Sequence, residues 1–358
     1  QEAILGFIQP KRLRLFRELM HLGMIIESHA THIFALALPD FVGAKDLVDF
    51  ASKHTKYFDA WTLLRAAGAK IQTVIGGRPF HPVNLQVGGL SHYPNSSDLL
   101  VLNPLMDECM LAAVDITDFL LANKPTIART SCPSFLALIP DSDEYGYFGS
   151  IIRSTDGWEA PISEYKAYLQ ESTVPYGHAK RTTSRGKDMM VGSMARLRLF
   201  GERLTGNARE LFHKSALYKG DTNSIWNTLG QSIEMVQAIS RVKDIIELLA
   251  SEPDSQEPRP SLTATFAGTG VGAVECPRGT LYHAYTIDQN GTVEAADMIT
   301  PSVQNAGRIE LDIREVVSGA GDSSSPQLQA GLETLVRAYD PCNTCATHMV
   351  RVNFVKPG

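Results

Sequence analysis

Apolar side chains recur at helical spacing over long stretches of this chain and predict a mainly helical fold. The clearest stretch covers residues 224–250, where seven apolar side chains form one stripe: Ile225, Leu229, Ile233, Val236, Ile239, Ile246 and Leu249. A second stretch begins at Pro10, a residue suited to the first position of a helix, and continues to Pro39. Residues 44–67 and 104–122 are predicted to form two further helices.

Shorter segments carry strand and turn signals. Residues 145–153 are aromatic and β-branched and predict a strand before a Thr-Asp-Gly turn. Residues 280–287 and 292–299 flank the sequence Asp-Gln-Asn-Gly, which predicts a β-hairpin. The Gly-Thr-Gly-Val-Gly sequence at 268–272 is interpreted as a tight turn, because no helix start follows it as a nucleotide-binding loop requires.

Near the carboxyl end, Ser325 and Pro326 are suited to begin a short helix that ends just before Asp340. The fold predicted from these patterns is mainly α, with many helices and smaller α+β parts. It is divided into five parts: a helical core part at 1–140, a strand-containing insertion at 141–200, a second helical core part at 201–250, a hairpin and loop region at 251–325, and a carboxyl-terminal helix with its extension at 326–358.

Composition and charge narrow the class of protein. A chain of 358 residues is long enough to bury a large core. The net charge of -6 and the pI near 5.9 argue against nucleic acid or an anionic membrane as partner. Five cysteines, an odd number, do not indicate a disulfide framework, so a reducing compartment is expected. The most apolar stretch considered for a membrane span, at 99–122, is interrupted by four acidic residues, and no span is predicted.

The strongest chemical signal is Asp340-Pro-Cys-Asn-Thr-Cys-Ala-Thr-His348, in which two thiols stand three positions apart and a histidine follows. Three interpretations are open for this pattern: half of a structural zinc site, a redox dithiol, or part of a catalytic metal centre. The remaining cysteines are isolated in sequence, so a closed zinc site would need single ligands gathered by the fold: Cys109, Cys132 and Cys276. A redox dithiol normally begins a helix, whereas this pattern follows one.

This motif resembles the last metal-binding motif of the large subunit of nickel-iron hydrogenases. Three other segments are similar to motifs of that family and occur in the expected order: Ser28-His-Ala-Thr-His32 running to Leu38-Pro-Asp40, Gly76-Gly-Arg-Pro-Phe-His-Pro-Val83, and Glu275-Cys-Pro-Arg-Gly-Thr-Leu-Tyr-His283. The resemblance extends over almost the whole chain. It implies a nickel ion and an iron ion, the iron carrying carbonyl and cyanide ligands.

The resemblance also implies roles for individual residues. Cys342 would be a terminal nickel thiolate, and Cys345 would bridge nickel to iron. His348 would bind a magnesium or similar hard ion. Arg278 would lie above the open nickel position, where its guanidinium polarises dihydrogen. The residues expected to support this centre are Asp40 and Asp340, which would hold the arginine, and Pro277, which would contact the metal cluster.

His29 and His32 are three residues apart and therefore share one face of the predicted helix. They are interpreted as hydrogen-bonded core residues, and no ligand role is assigned to them.

The activity implied by the resemblance is reversible, heterolytic cleavage of H2 to protons and electrons. The electrons would pass to iron-sulfur clusters in a small subunit and then to NAD(P), a deazaflavin (F420), ferredoxin or a heterodisulfide enzyme. A cytoplasmic location is expected. The alternative is a metal-free structural or quinone-site subunit related to the large peripheral-arm subunit of respiratory complex I, which resembles hydrogenases but lacks the cysteines.

Two departures from the family pattern bear on this choice. The family's first cysteine pair does not occur before the helix at Pro10, and we interpret the printed sequence as lacking that segment. Ten residues follow His348, as in a precursor whose tail a dedicated protease removes after nickel loading.

Overall fold

Helices dominate the computed structural model, which describes residues 1–123, 130–177, 179–253, 267–320 and 325–342. The α-helices are α1 Glu2–Leu5, α2 Lys11–Ala30, α3 Leu38–Val42, α4 Leu47–Lys53, α5 Thr55–Gly76, α6 Ser96–Leu100, α7 Asn103–Ala122, α8 Tyr165–Tyr168, α9 Ser193–Phe200, α10 Gly206–Lys214, α11 Asn227–Ala250, α12 Pro301–Gly319 and α13 Pro326–Ala338. A π-helix, Thr31–Ala37, joins α2 to α3, and short 3₁₀ turns lie at Ile162–Glu164, Gly201–Arg203 and Ser224–Trp226.

The strands form four small antiparallel sheets in the described residues. They are β1 Leu85–Gln86, β2 Gly89–Leu90, β3 Leu136–Ile139, β4 Ile151–Ser154, β5 Trp158–Pro161, β6 Leu169–Ser172, β7 Arg181–Ser184, β8 Gly268–Cys276, β9 Gly279–Ile287 and β10 Val293–Ile299. β9 is the central strand of the largest sheet, in the order β10-β9-β8. This sheet carries Arg278, because the turn between β8 and β9 consists of Pro277 and Arg278.

The main core lies between α2, α5, α7 and α11. The apolar stripe of α11 is buried there, and polar side chains in the first half of the helix are buried too, including Gln231 and Glu234. α2 and α5 cross at two glycines: a Cβ on Gly68 would lie 2.5 Å from the carbonyl oxygen of Gly23. This close approach of two backbones packs α2, which carries His29, tightly against α5.

The helical run Lys11–Val42 is apolar and long enough to cross a membrane by length and composition alone. Of its most apolar window, 72% is buried inside the fold, so its hydropathy is accounted for by packing against the other helices. The π-helix within this run widens the backbone at His32 and continues directly into α3. Such widened turns re-aim side chains and are frequent near functional sites.

Most of the predicted elements are confirmed. The long helices occur as α2 with its π-helical continuation, α7 and α11, and the helix after Ser325 is α13. Ser325 caps α13 by accepting a hydrogen bond from the backbone N–H of Leu328. The hairpin is formed by β9 and β10, and Asp288 closes its turn by accepting a hydrogen bond from Thr292 N at 2.8 Å.

Three predictions of elements are wrong in part. The helix expected at 44–67 is two helices, α4 and α5, with a break at His54, whose backbone leaves the helical region. The strand expected at 145–153 is limited to β4, because Tyr145 and Tyr147 turn into the core instead. The glycine sequence at 268–272 is not a tight turn: it begins β8, since small residues there let α1 pack closely on the strand. The helix α12 was not predicted from the pattern.

Candidate active site

Arg278 lies at the tip of the β8–β9 hairpin. Cys276 pairs with Gly279 in the register, so Pro277 and Arg278 alone form the turn. Gly279 has a φ of 134°, and a Cβ there would lie 2.3 Å from Cγ2 of Val191. Only glycine allows both this backbone conformation and this close approach, and the tip is therefore pressed against the loop that precedes α9.

Asp340 binds the guanidinium group of Arg278. The Nε of Arg278 donates to the carbonyl oxygen of Asp340 at 2.6 Å, and Nη2 donates to its Oδ1 at 3.0 Å. Asp340 adopts a left-handed conformation with a φ of 51° just after α13 ends, a position that usually carries glycine or asparagine. The aspartate is 1% exposed, whereas the arginine side chain keeps 30% exposure.

The structure places Asp40 on a different arginine from the one expected. Its carboxylate forms two hydrogen bonds of 2.9 Å with Arg337 of α13, and Arg278 is not among its partners in the described residues. The expectation that Asp40 holds Arg278 directly is therefore wrong. Because Arg337 belongs to the last turn of α13, Asp40 instead ties the π-helix and α3 region to the helix that delivers Asp340.

Cys342 is the one motif thiol within the described residues. Its side chain is partly buried, and its backbone N–H donates to Oγ of Ser302 at 3.2 Å. Pro277 is buried in the hairpin tip, next to Arg278. Cys345 and His348 lie outside the described residues, so their predicted roles stay predictions.

A buried arginine that sequence reasoning missed holds the hairpin tip in place. Arg196 of α9 is 1% exposed and donates to the carbonyl oxygens of Cys276 at 2.9 Å and Pro277 at 3.2 Å. It also forms ion pairs with Glu234 and Glu275. A charged residue inside an apolar segment is the signal that could have identified it, since arginine is almost never fully buried unless paired.

Glu234 of α11 is the centre of this buried network. Four side chains donate to its carboxylate: Arg196, His29 at 2.9 Å, Tyr145 at 2.5 Å, and Ser193. Burial opposes its ionisation, but Arg196 and His29 together keep the pKa of Glu234 well below its usual range. Burial lowers the pKa of His29. The neutral ring orients Glu234 by donating a hydrogen bond from Nε2 to its carboxylate.

The zinc and dithiol interpretations gain no support from the described residues. Cys109 and Cys132 are buried singly, and burial raises the pKa of each thiol to about 12, so neither is a ready thiolate ligand. In the described part of the chain no three residues among His, Cys, Asp and Glu gather as a metal site would require. The motif also follows α13 instead of opening a helix.

Acid should destabilise the fold through His21. Its Nε2–H donates to the carbonyl oxygen of Glu275 at 2.8 Å, and the ring is enclosed by Tyr147 and Phe148. Burial lowers the pKa of His21 to about 4, whereas the same ring in the unfolded chain takes up a proton near pH 6.5. The unfolded state therefore binds more protons, and stability falls between pH 6.5 and 4, by up to about 3 kcal/mol.

Urea unfolding at pH 7.5, 5.5 and 4.5 measures this effect. The variant His21→Gln keeps a donor for the carbonyl but does not titrate, so its stability should change less over the same pH range. The exposed His92 provides the control: His92→Gln should retain the full pH dependence. Equal pH dependence in all three proteins would contradict the assignment to His21.

Comparisons with known proteins point to one family. The family model for nickel-dependent hydrogenase matches residues 155–348, more than half of the chain. Sulfhydrogenase 1 subunit alpha of Pyrococcus furiosus is 32% identical over 98% of this chain and 81% of its own length. The beta subunit of the NAD-reducing hydrogenase HoxS of Cupriavidus necator is 25% identical over 93% of this chain and 75% of its own length. Both relatives are hydrogenase subunits, which favours a hydrogenase over the alternative of a subunit related to respiratory complex I.

Solved structures of the same type share the fold. An NAD+-reducing NiFe hydrogenase in the H2-reduced state superposes with a TM-score of 0.84 at 20% identity, covering 97% of this chain and 82% of that chain. A NiFeSe hydrogenase variant from Desulfovibrio vulgaris Hildenborough gives 0.73 at 17% identity, covering 95% and 82%. The mainly helical architecture with small sheets is confirmed, and by its sequence similarity over nearly its full length the chain belongs to the nickel-dependent hydrogenase family.

Proposed function

We propose that this chain is the catalytic large subunit of a nickel-iron hydrogenase and cleaves H2 reversibly into two protons and two electrons. One observation carries the proposal. The guanidinium of Arg278 is fixed through two hydrogen bonds to Asp340, which stands two residues before the thiol of Cys342. A rigid cation beside a soft sulfur ligand is suited to polarise an otherwise non-polar substrate.

The donor set at this position suits nickel and iron. We propose that the thiolates of Cys342 and Cys345 bind the metals and that Pro277 lines the centre, because soft sulfur ligands favour late transition metals over magnesium or calcium. His348 is proposed to hold a magnesium or similar ion nearby. The bound metals, with carbonyl and cyanide on the iron, would supply the redox capacity that takes up the electrons of H2.

The protein's own residues perform two tasks in this scheme. Arg278 would present a fixed positive charge to the bound metals, and its partner Asp340 prevents the guanidinium from rotating away. The sulfur of Cys342 is proposed to accept the proton released from H2, since a thiolate is a basic atom that the motif provides.

The proposed partners follow from the chemistry of the products. The electrons need a carrier, and we propose an iron-sulfur small subunit as the first acceptor. Beyond it, the acceptor would be NAD(P), a deazaflavin (F420), ferredoxin or a heterodisulfide enzyme. The relatives include an NAD-reducing hydrogenase and F420-non-reducing hydrogenases, which supports a multisubunit assembly of this kind. A cytoplasmic location is proposed with it.

Metal analysis of the full-length, matured protein tests the proposal, together with H2-dependent reduction of a viologen dye. We expect stoichiometric nickel, dye reduction and infrared bands from the diatomic iron ligands. Cys342→Ser should lose nickel and dye reduction, whereas Cys109→Ala, which removes a buried thiol of α7, should retain both. A matured protein without nickel and without H2-dependent dye reduction would overturn the assignment.

A further inference from the structure

Two histidines of the α2 and π-helix region contact α11 in a matched arrangement. His29 and His32 are three residues apart, and so are their partners Gln231 and Glu234. His29 lies 2.9 Å from Glu234 through Nε2, and the Nδ1 of His32 is hydrogen-bonded to Oε1 of Gln231. All four side chains are at most 1% exposed, so these contacts lie inside the core.

The contact between His32 and Gln231 leads to the side chain of Arg278. The amide Nε2 of Gln231 donates to Oδ2 of Asp340 at 3.0 Å. The other carboxylate oxygen of Asp340 accepts from the guanidinium of Arg278. The Nε2 of His32 also lies 2.6 Å from the carbonyl oxygen of Arg337, three residues before Asp340, so the ring contacts both the amide and the end of α13.

The contact between His29 and Glu234 leads to the backbone of Arg278. Glu234 binds Arg196 through both carboxylate oxygens, at 2.6 and 2.7 Å. The Nη1 of the same guanidinium donates to the carbonyl oxygen of Cys276, and Nη2, which also binds Glu234, donates to that of Pro277, the residue immediately before Arg278. His29 thus orients the carboxylate of Glu234, which in turn holds the guanidinium of Arg196.

We propose that His29 and His32 are positioning residues for Arg278. One acts through Glu234 and Arg196 on its backbone, the other through Gln231 and Asp340 on its side chain. The inference rests on the proposed function, in which the position of the Arg278 guanidinium determines the rate of H2 cleavage. α11 serves as the common frame, because both intermediaries occupy one face of a single buried helix.

The residue type at position 231 is specific to this role. Gln231 donates to a carboxylate with its nitrogen and accepts from a ring nitrogen with its oxygen, which a glutamine does without adding charge. A glutamate there would place a second carboxylate against Asp340, and a leucine would leave Asp340 without this donor. The same helix offers a matched control: Gln237 is also buried, but its amide contacts Thr205 at the start of α10.

Chemical modification of Arg278 tests the side-chain part. The full-length, nickel-loaded protein is treated with phenylglyoxal, which modifies arginine side chains. The rate at which Arg278 is modified is followed by peptide mass spectrometry. Gln231→Leu and His32→Leu should raise that rate roughly tenfold, the effect of losing a hydrogen bond to a charged group, while Gln237→Leu stays near the parent rate. Equal rates in Gln231→Leu and Gln237→Leu would overturn this part.

Hydrogen exchange tests the backbone part. His29→Leu should increase deuterium uptake of the peptide that covers the hairpin tip, and should raise phenylglyoxal reactivity less than Gln231→Leu does. Unchanged uptake at the tip in a folded His29→Leu protein would overturn it. If His29→Leu loses protection from exchange throughout the chain, His29→Gln is measured instead. Glutamine retains a donor for Glu234 and should restore protection at the hairpin tip.

Turnover per nickel completes the test. Gln231→Leu should lower the kcat for H2 with little change in KM, because H2 binding does not depend on the guanidinium position as the bond-breaking step does. An inactive parent protein would refute the proposed function alone, since the modification and exchange rates are measured without H2. A changed KM with unchanged kcat and unchanged Arg278 reactivity would refute the positioning role alone.

Discussion

Replacing Arg278 by lysine should lower H2 turnover per nickel by a factor of about 100 to 1,000, the usual cost of removing one preorganised electrostatic contact. Lysine keeps the positive charge but has a single ammonium group. It cannot reproduce the pair of donors that binds the carbonyl and carboxylate oxygens of Asp340. The charge would therefore sample several positions, and H2 oxidation with a viologen dye at measured nickel content reports the loss.

Arg337→Lys is the matched control for this prediction. Arg337 also binds an aspartate with two donors, but its partner is Asp40 of α3 and not Asp340. Its replacement should reduce turnover far less than replacement of Arg278 does. Comparable losses in the two variants would show that any weakening of α13 slows the enzyme and would contradict a direct role for Arg278. A loss of nickel in Arg278→Lys would contradict it as well.

The long helices could be predicted from the sequence because their signal is local. Each apolar stripe repeats over several turns, as in α11, so single exceptions do not hide it. The break at His54 was not visible, since both flanking segments continue a helical pattern. Tyr145 has the composition of a strand residue, but Glu234, almost ninety positions away, draws it into the core. Contacts of that range override local preference.

The candidate active site, too, could be predicted only in part from the sequence. The pairing of Arg278 with Asp340 was predicted through the family motifs, and the geometry contains it. The placement of Asp40 was wrong because a motif gives the order of residues but not which of two arginines a carboxylate meets. Arg196 and Gln231 belong to none of the recognised motifs. Their roles follow only from the three-dimensional juxtaposition of α9, α11 and the hairpin tip.

Replacing Arg196 by methionine should destabilise the fold by about 3–5 kcal/mol, the range for removing one partner of a buried ion pair. The carboxylates of Glu234 and Glu275 are both 0% exposed and would lose the one arginine that pairs with them among the described residues. The carbonyl oxygens at the hairpin tip would lose their donors as well. Urea unfolding of the full-length protein at pH 7.5 measures the change in the free energy of unfolding.

Arg241→Met distinguishes burial from ion pairing in general. Arg241 also binds two carboxylates, Glu18 and Glu144, but at 18% side-chain exposure, so its loss should cost no more than about 1 kcal/mol. Adding Glu234→Gln to Arg196→Met should recover part of the stability, because a neutral amide needs no counter-charge in the core. Similar losses for both arginines, or no recovery in the double variant, would mean that uncompensated charge is not the cause. The expected recovery would come without restored turnover, since the tip carbonyls still lack the guanidinium that fixes Arg278.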